Sequence, residues 1–148
     1  MRIAITNDHA ATELKEVLFA HIQEKFSASV TDLGSKGEKG TDYPEYALTA
    51  AKEVKSGTQD LAILLCGTGA GMCIAANKVR GIRAVVCSEP YTARLSREHN
   101  DAQILCIGAR VVGTELAKEI VDAFLSAKFE GGRHAKRVDM FMTFEGRE

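Results

Sequence analysis

The chain has 148 residues, 45% hydrophobic and 26% charged, and a formal net charge of −1. That balance fits one soluble globular domain, residues 1–148, with a sizeable core, and gives no reason to expect a nucleic-acid or membrane-surface partner, so the partner should be small. No segment approaches the roughly 18 apolar residues of a membrane span, and Ile3-Ala4-Ile5 is far too short for the apolar core of a secretion signal.

Ile3 to Ile5 reads as a first strand that ends in the polar cluster Thr6-Asn7-Asp8-His9. A helix follows, with Leu14, Val17, Leu18, His21 and Ile22 on one stripe, and Ser29 to Leu33 makes a short second strand. The segment Gly34 to Gly40, with three glycines and three charges, predicts an exposed loop. Asp42-Tyr43-Pro44-Glu45 then has the pattern of a helix start, with an Asp N-cap, proline in the first turn and Glu as in a capping box. That helix should run to about Ser56 and stop at Gly57.

The next stretch organises the rest of the chain. Leu61 to Cys66 is an unbroken apolar run, short enough to be a fully buried strand, and it leads into Gly67-Thr68-Gly69-Ala70-Gly71. A small-residue helical segment starts at Met72, so the reading is strand, tight loop, helix. Loop amides before a helix have no partner inside it, and an anion or a thiolate at Cys66 would be stabilised there. One loop thus offers both a base and an anion hole. The run is not a dinucleotide fingerprint, whose third glycine would fall on Met72, and it lacks the Lys-Ser/Thr of a P-loop.

Beyond it, Ala84 to Cys87 is a fourth strand, Pro90 to Glu98 a helix and Ile104 to Ile107 a fifth strand. Thr114 to Ser126 is a helix with Leu116, Ile120, Val121 and Phe124 on its buried face. Strands alternating with helices predict a doubly wound, Rossmann-like parallel sheet of five strands with helices on both faces. By analogy with the commonest such sheet its order would be 2-1-3-4-5, which sets Asp8 and His9 beside the Cys66 loop at the switch point. Gly131-Gly132 reads as a hinge before a short terminal helix, on which Arg133 and Arg137 share a face and could fork onto a phosphate.

Four cysteines, at 66, 73, 87 and 106, form no C-x-x-C pair, so they fit neither a zinc site nor a secreted disulfide framework. Reduced thiols in the cytoplasm are expected. Cys73, Cys87 and Cys106 read as small hydrophobes, and only Cys66 stands at a strand end. His21 belongs to a helix stripe and reads as structural. His9 and His99 each neighbour an acid or amide in an expected loop, where a lone histidine is usually just solvated.

Taken together, Asp8-His9-Ala10, Asp42-Tyr43-Pro44, Cys66-Gly67-Thr68-Gly69, Ile74-Ala75-Ala76-Asn77-Lys78, Gly81-Ile82-Arg83-Ala84, Arg97-Glu98-His99-Asn100-Asp101-Ala102 and Glu130-Gly131-Gly132-Arg133-His134 resemble the ribose-5-phosphate isomerase B family. Related hexose-6-phosphate isomerases belong to it too. The resemblance implies an aldose–ketose isomerase, without metal or cofactor, that acts on a sugar phosphate as a homodimer or dimer of dimers with shared sites. It makes Cys66 the base that moves a proton between C1 and C2, His99 the acid that opens the furanose ring, and Thr68 part of the catalytic loop. It places Asp8, His9, Tyr43 and Asn100 on the sugar or the phosphate, and Gly67, Gly69, Ala70 and Gly71 around the enediolate. Arg110, Arg133 and Arg137 would bind the phosphate. One branch of the family uses a glutamate at the position of Met72, which cannot take a proton, so this chain sorts with the cysteine branch. Ala11 and Thr12 depart from the usual glycine and aromatic, at the near end of the sugar.

Two other classes share parts of this pattern. A dinucleotide-binding module would carry its glycine loop after the first strand, not the third. A phospho-receiver domain would need a carboxylate where this chain has Cys66.

Overall fold

The structure is a computed structural model and describes residues 1–40 and 42–146. In chain order its elements are β1 (Arg2–Asn7), α1 (Thr12–Phe26), β2 (Ser29–Asp32), α2 (Tyr43–Lys55), β3 (Leu61–Cys66), α3 (Ala70–Ala76), β4 (Ala84–Val86), α4 (Pro90–Asn100), β5 (Ile104–Gly108), α5 (Thr114–Ser126) and α6 (Arg133–Glu145). The five strands form one parallel sheet. Side chains alternate across it, so neighbouring residues of β3 feed two separate cores. Leu61, Ile63 and Leu65 pack with α1 and α5 residues such as Leu18, Ile22, Ile120 and Phe124. Ala62, Leu64 and Cys66 face the other way, onto Ala47, Ala50, Ala51, Met72 and Ala76 of α2 and α3. Each large aliphatic side chain fully buried here contributes about 1.5–3 kcal/mol. The alanines let α2 and α3 lie close to the sheet.

The strand order is β2-β1-β3-β5-β4 rather than the expected 2-1-3-4-5. All five residues of β5 are buried, so it needs a strand on each side. The three-residue β4 ends in Val86, which is exposed, and it takes the edge. The reversal between β1 and β3 is unaffected by this exchange, and it is what places the site.

Several local expectations are corrected. Asp42 makes no side-chain capping bond, and the first turn of α2 rests on Pro44 and on the Glu45 amide donating to the Asp42 carbonyl at 3.2 Å. Val17 and Leu116 lie at the margin of their helix stripes and are exposed. Ser35 is buried within the otherwise open 34–40 loop, where the buried Lys15 donates to its carbonyl at 3.2 Å and pairs with Asp32 at 2.8 Å. Helix α4 runs on through His99 and Asn100, so these are helical residues, not loop ones; Asp101 ends the helix in the left-handed region, with φ 46°.

The terminal helix is long, at 13 residues, and it is held by its own chain. Buried His134 and Val138 pack it toward α4, and the Gly81 amide donates to both Glu145 carboxylate oxygens at 2.9 and 3.0 Å. Met140, Phe141 and Phe144 on α6 remain exposed. Among the described residues no helix is long and apolar enough to cross a membrane.

Candidate active site

Strand β1 is followed by β2 on one side, whereas the chain returns past it to form β3 on the other, so a crevice opens beyond the carboxyl ends of β1 and β3. The Asp8 amide donates to the Leu65 carbonyl at 3.1 Å, which sets Asp8 against the end of β3. Asp8 is buried and rigid: its Oδ1 accepts the Ala10 amide at 2.9 Å, and the neighbouring Asn7 amide group donates to the Asp8 carbonyl at 2.7 Å. Cys66 is also buried, and the Gly69 amide points at its sulfur from 3.1 Å.

The loop after Cys66 is shaped by contacts that only glycine allows. Gly69 has φ +79°, and a β-carbon there would stand 2.9 Å from Val86 Cγ2 and 3.0 Å from the Ile107 carbonyl carbon. Over Gly71 lies the Tyr43 ring, whose Cε2 would be 2.6 Å from an added β-carbon. Tyr43 thus comes to the loop from the start of α2. Thr68 is exposed, and its hydroxyl accepts the Ala70 amide at 3.4 Å. Arg110 crosses Gly67, with Nη1 within 3.3 Å of where a β-carbon would stand, and its amide donates to the Gly67 carbonyl at 3.0 Å. This one end of the sheet therefore gathers Asp8, Tyr43, Cys66, Gly67, Thr68, Gly69, Ala70, Gly71 and Arg110.

His9 is exposed and lines an adjoining cavity of about 820 Å³ with Thr12, Val112 and Thr114. Ala11 is buried in the core, and the hydroxyl of Thr12, in the wall of that cavity, accepts from Asn7 at 3.2 Å.

The remaining predicted residues lie elsewhere. Helix α4 runs back along the sheet from the carboxyl end of β4, so His99 and Asn100 sit at the amino ends of the strands. There the Arg83 guanidinium donates to the Asn100 carbonyl at 2.8 Å. Since Ala62 pairs with Ile104 and Cys66 with Gly108, the two ends are four residues apart, or about 13 Å at some 3.3 Å per residue. His99 and Cys66 of one chain do not face one crevice. Arg133 and Arg137, exposed on α6, are on the His99 side through the packing of α6 on α4.

Two residues there were given no role by the sequence reading. His134 stacks on His99, with ring centroids 4.0 Å apart and planes 4° from parallel, and Glu130 lies 3.4 Å from His134 Nε2. The i, i+4 spacing of Glu130 and His134 was the available signal. Burial, with the nearby charges of His99 and Arg133, holds the His134 imidazole below the usual histidine range. Elsewhere, His21 pairs with Asp122 at 2.7 Å, as suits a structural residue. Burial pushes the Cys87 thiol up to about 12 and Cys106 well up, whereas a hydrogen bond with Cys106 pulls Cys73 down.

Comparison with known proteins gives the chain its family. The chain is 53% identical over 146 residues to ribose-5-phosphate isomerase B of Escherichia coli, covering 99% of this chain and 97% of that one. It is 47% identical over 150 residues to D-erythrulose-4-phosphate isomerase of Pectobacterium atrosepticum, covering 100% and 97%. Its fold superimposes on the crystal structure of ribose-5-phosphate isomerase B from Mycoplasma genitalium with bound ribulose-5-phosphate, with a TM-score of 0.94, 41% identity and coverage of 99% and 97%. The profile of the ribose/galactose isomerases matches residues 3–141. With the fold and nearly the whole length in common, the chain belongs to the ribose/galactose isomerase family.

Proposed function

We propose that this protein is an aldose–ketose isomerase that interconverts ribose 5-phosphate and ribulose 5-phosphate, with Cys66 as the base. The observation that carries the reading is the Cys66 sulfur held 3.1 Å from the Gly69 amide at the mouth of the switch-point crevice.

The reaction needs no net redox change, only proton transfers. His99 donates a proton to the ring oxygen as the C1–O4 bond breaks, and the C1 hydroxyl loses its proton, which leaves an open-chain aldehyde. Cys66 then takes the C2 hydrogen as a proton; the C–H electrons form the C1–C2 double bond, and the carbonyl electrons move onto O1. The negative charge that develops is met by loop amides from Gly67 to Gly71 and by the Thr68 hydroxyl, donors fixed before the reaction starts. Cys66 returns its proton to C1, the O2 proton passes to O1, and the ketose results. Asp8, His9, Tyr43 and Asn100 hold the sugar, and Arg110, Arg133 and Arg137 the phosphate.

Because Cys66 and His99 stand at opposite ends of one sheet, this reading requires two chains. A two-fold partner that turns its α4–α6 end toward the crevice supplies His99, Asn100, Arg133 and Arg137 to it. The exposed Met140, Phe141 and Phe144, which line a cleft of about 510 Å³ with Arg137, support such an association, since apolar patches on α6 are otherwise left in water. The four unbonded thiols suit a reducing cytoplasm.

The substrate is tested by kcat/KM on tetrose 4-, pentose 5- and hexose 6-phosphates, with ribose 5-phosphate expected to lead. A second reading, a tetrose-phosphate isomerase, is favoured by the 47% identity to a D-erythrulose-4-phosphate isomerase, and a lead for the tetrose would establish it. A lead for the hexose would instead place the protein with the hexose-6-phosphate branch.

A further inference from the structure

His99 is packed between groups that the reaction scheme leaves without a task. Its side chain is 33% exposed, whereas the His134 ring stacked on it is buried. Glu130 stands at the edge of both rings, with Oε2 3.4 Å from Nε2 of His134 and 4.0 Å from Nε2 of His99. The Glu130 amide donates to the Glu98 carbonyl at 3.0 Å, so the backbone that carries this carboxylate is tied to the last turn of α4. From the other side Arg133 Nε donates to His134 Nε2 at 3.4 Å. Accepting that bond calls for an Nε2 without a proton, that is, a neutral imidazole with its hydrogen on Nδ1. Its burial and the positive charges of His99, Arg133 and Arg137 act in the same direction, against the pull of Glu130.

The three groups also lie within 4.8 Å of one another, close enough to suggest a cation. Imidazole lone pairs lie in the ring planes, however, and planes 4° from parallel do not converge on one ion. The stack suits a different task. One imidazolium over one neutral ring is attracted to its π face, whereas two imidazoliums would repel.

We propose that His134 is a positioning residue for ring opening: a buried, neutral plate that fixes the plane of the His99 ring, with Glu130 as the counter-charge of the His99 imidazolium. The inference rests on the role given to His99 above. A half-exposed ring without the plate turns about its side-chain bonds, and small misplacements of a proton donor are costly in rate.

The test uses the whole enzyme and two reactions that share Cys66. Isomerisation of ribose 5-phosphate includes ring opening. Uptake of deuterium from D2O at C1 of ribulose 5-phosphate does not, because the oxygen that would close a furanose carries the phosphate and the ketose stays open. His134→Ala is expected to lower kcat for isomerisation about tenfold, with KM and the deuterium uptake rate changed less than about twofold. His134→Phe, which keeps a flat ring, should recover most of the lost rate, and His134→Gln, which keeps an acceptor for Arg133 but no plate, should not. Equal losses in the two reactions, no loss at all, or better recovery by Gln than by Phe would each overturn the proposal. Because Phe and Gln are compared directly, the test stands even if the alanine variant does not fold. His99→Asn is measured alongside: if it too slows both reactions equally, the ring-opening role of His99 fails, and this inference with it. If His99→Asn separates the two reactions and His134 does not, only the inference about His134 fails.

Discussion

At Cys66 a side chain that is almost wholly buried still presents its sulfur to the Gly69 amide, because the strand that carries it ends where the glycine loop begins. Cys66→Ala should lower kcat by about 10²- to 10⁴-fold, the usual contribution of a placed base, and Cys66→Ser nearly as much. Unfolding and phosphate binding should be unchanged, and steady-state kinetics with a thermal melt check both. The glycines of the loop separate shape from function in a second way. Gly69→Ala meets the Ile107 backbone and a positive φ, neither of which can yield, so it should cost about 1–3 kcal/mol in denaturant unfolding. Gly71→Ala meets first the Tyr43 ring, which is 40% exposed and can swing away. Its stability should change by less than about 1 kcal/mol while KM rises, because the proposed scheme has Tyr43 hold the sugar. A Tyr43→Ala background should remove most of that KM effect.

Helices α4 and α6 act together as one element, joined by the His99–His134 stack, Glu130 and Val138. The His134 imidazole lies below the ordinary range in the fold, chiefly through burial. The unfolded chain therefore takes up a proton near pH 6.5 that the native chain refuses, and stability falls as pH drops through that value. The carboxylates held low, Glu38, Asp60 and Glu89, act in the same direction only at lower pH, around and below their ordinary range. Between pH 7 and 5 the wild type should thus lose more stability than His134→Phe. Urea unfolding of both proteins at the two pH values measures the difference, and equal losses would mean that His134 is not the group responsible.

For the molecule as a whole, the distance between the carboxyl and amino ends of the sheet means that the proposed catalytic set needs two chains. Arg137→Ala should raise KM by about tenfold or more, since a charge-assisted bond from arginine to phosphate is worth about 1.5–3 kcal/mol. Cys66→Ala and Arg137→Ala proteins, each strongly impaired, can then be mixed after dissociation. In a shared arrangement the mixed dimer has one site with both defects and one with neither, so kcat/KM should return toward half of the wild-type value per mixed dimer. Absence of recovery, with mixed dimers shown by mass spectrometry, would mean that each chain builds its own site.

Much of this was legible in local pattern. Unbroken apolar runs marked β3 and β5, the 3.6-residue period gave α5 its limits from Thr114 to Ser126, and a thiol followed by five small residues marked the loop between β3 and α3. What the pattern left open depends on contacts between distant segments. The place of β5 beside β3 follows from which strand must be covered on both edges, and no periodicity within either strand encodes it. His99 and Asn100 read as loop because polar residues are common there, yet the left-handed turn at Asp101, held with Arg83 and Arg97, carries the helix through them. Tyr43 over Gly71 and His134 under His99 are likewise pairings of separate helices. Residue type and spacing determined which groups this chain has for chemistry; packing across the sheet decided which of them meet at one end of it and which lie at the other.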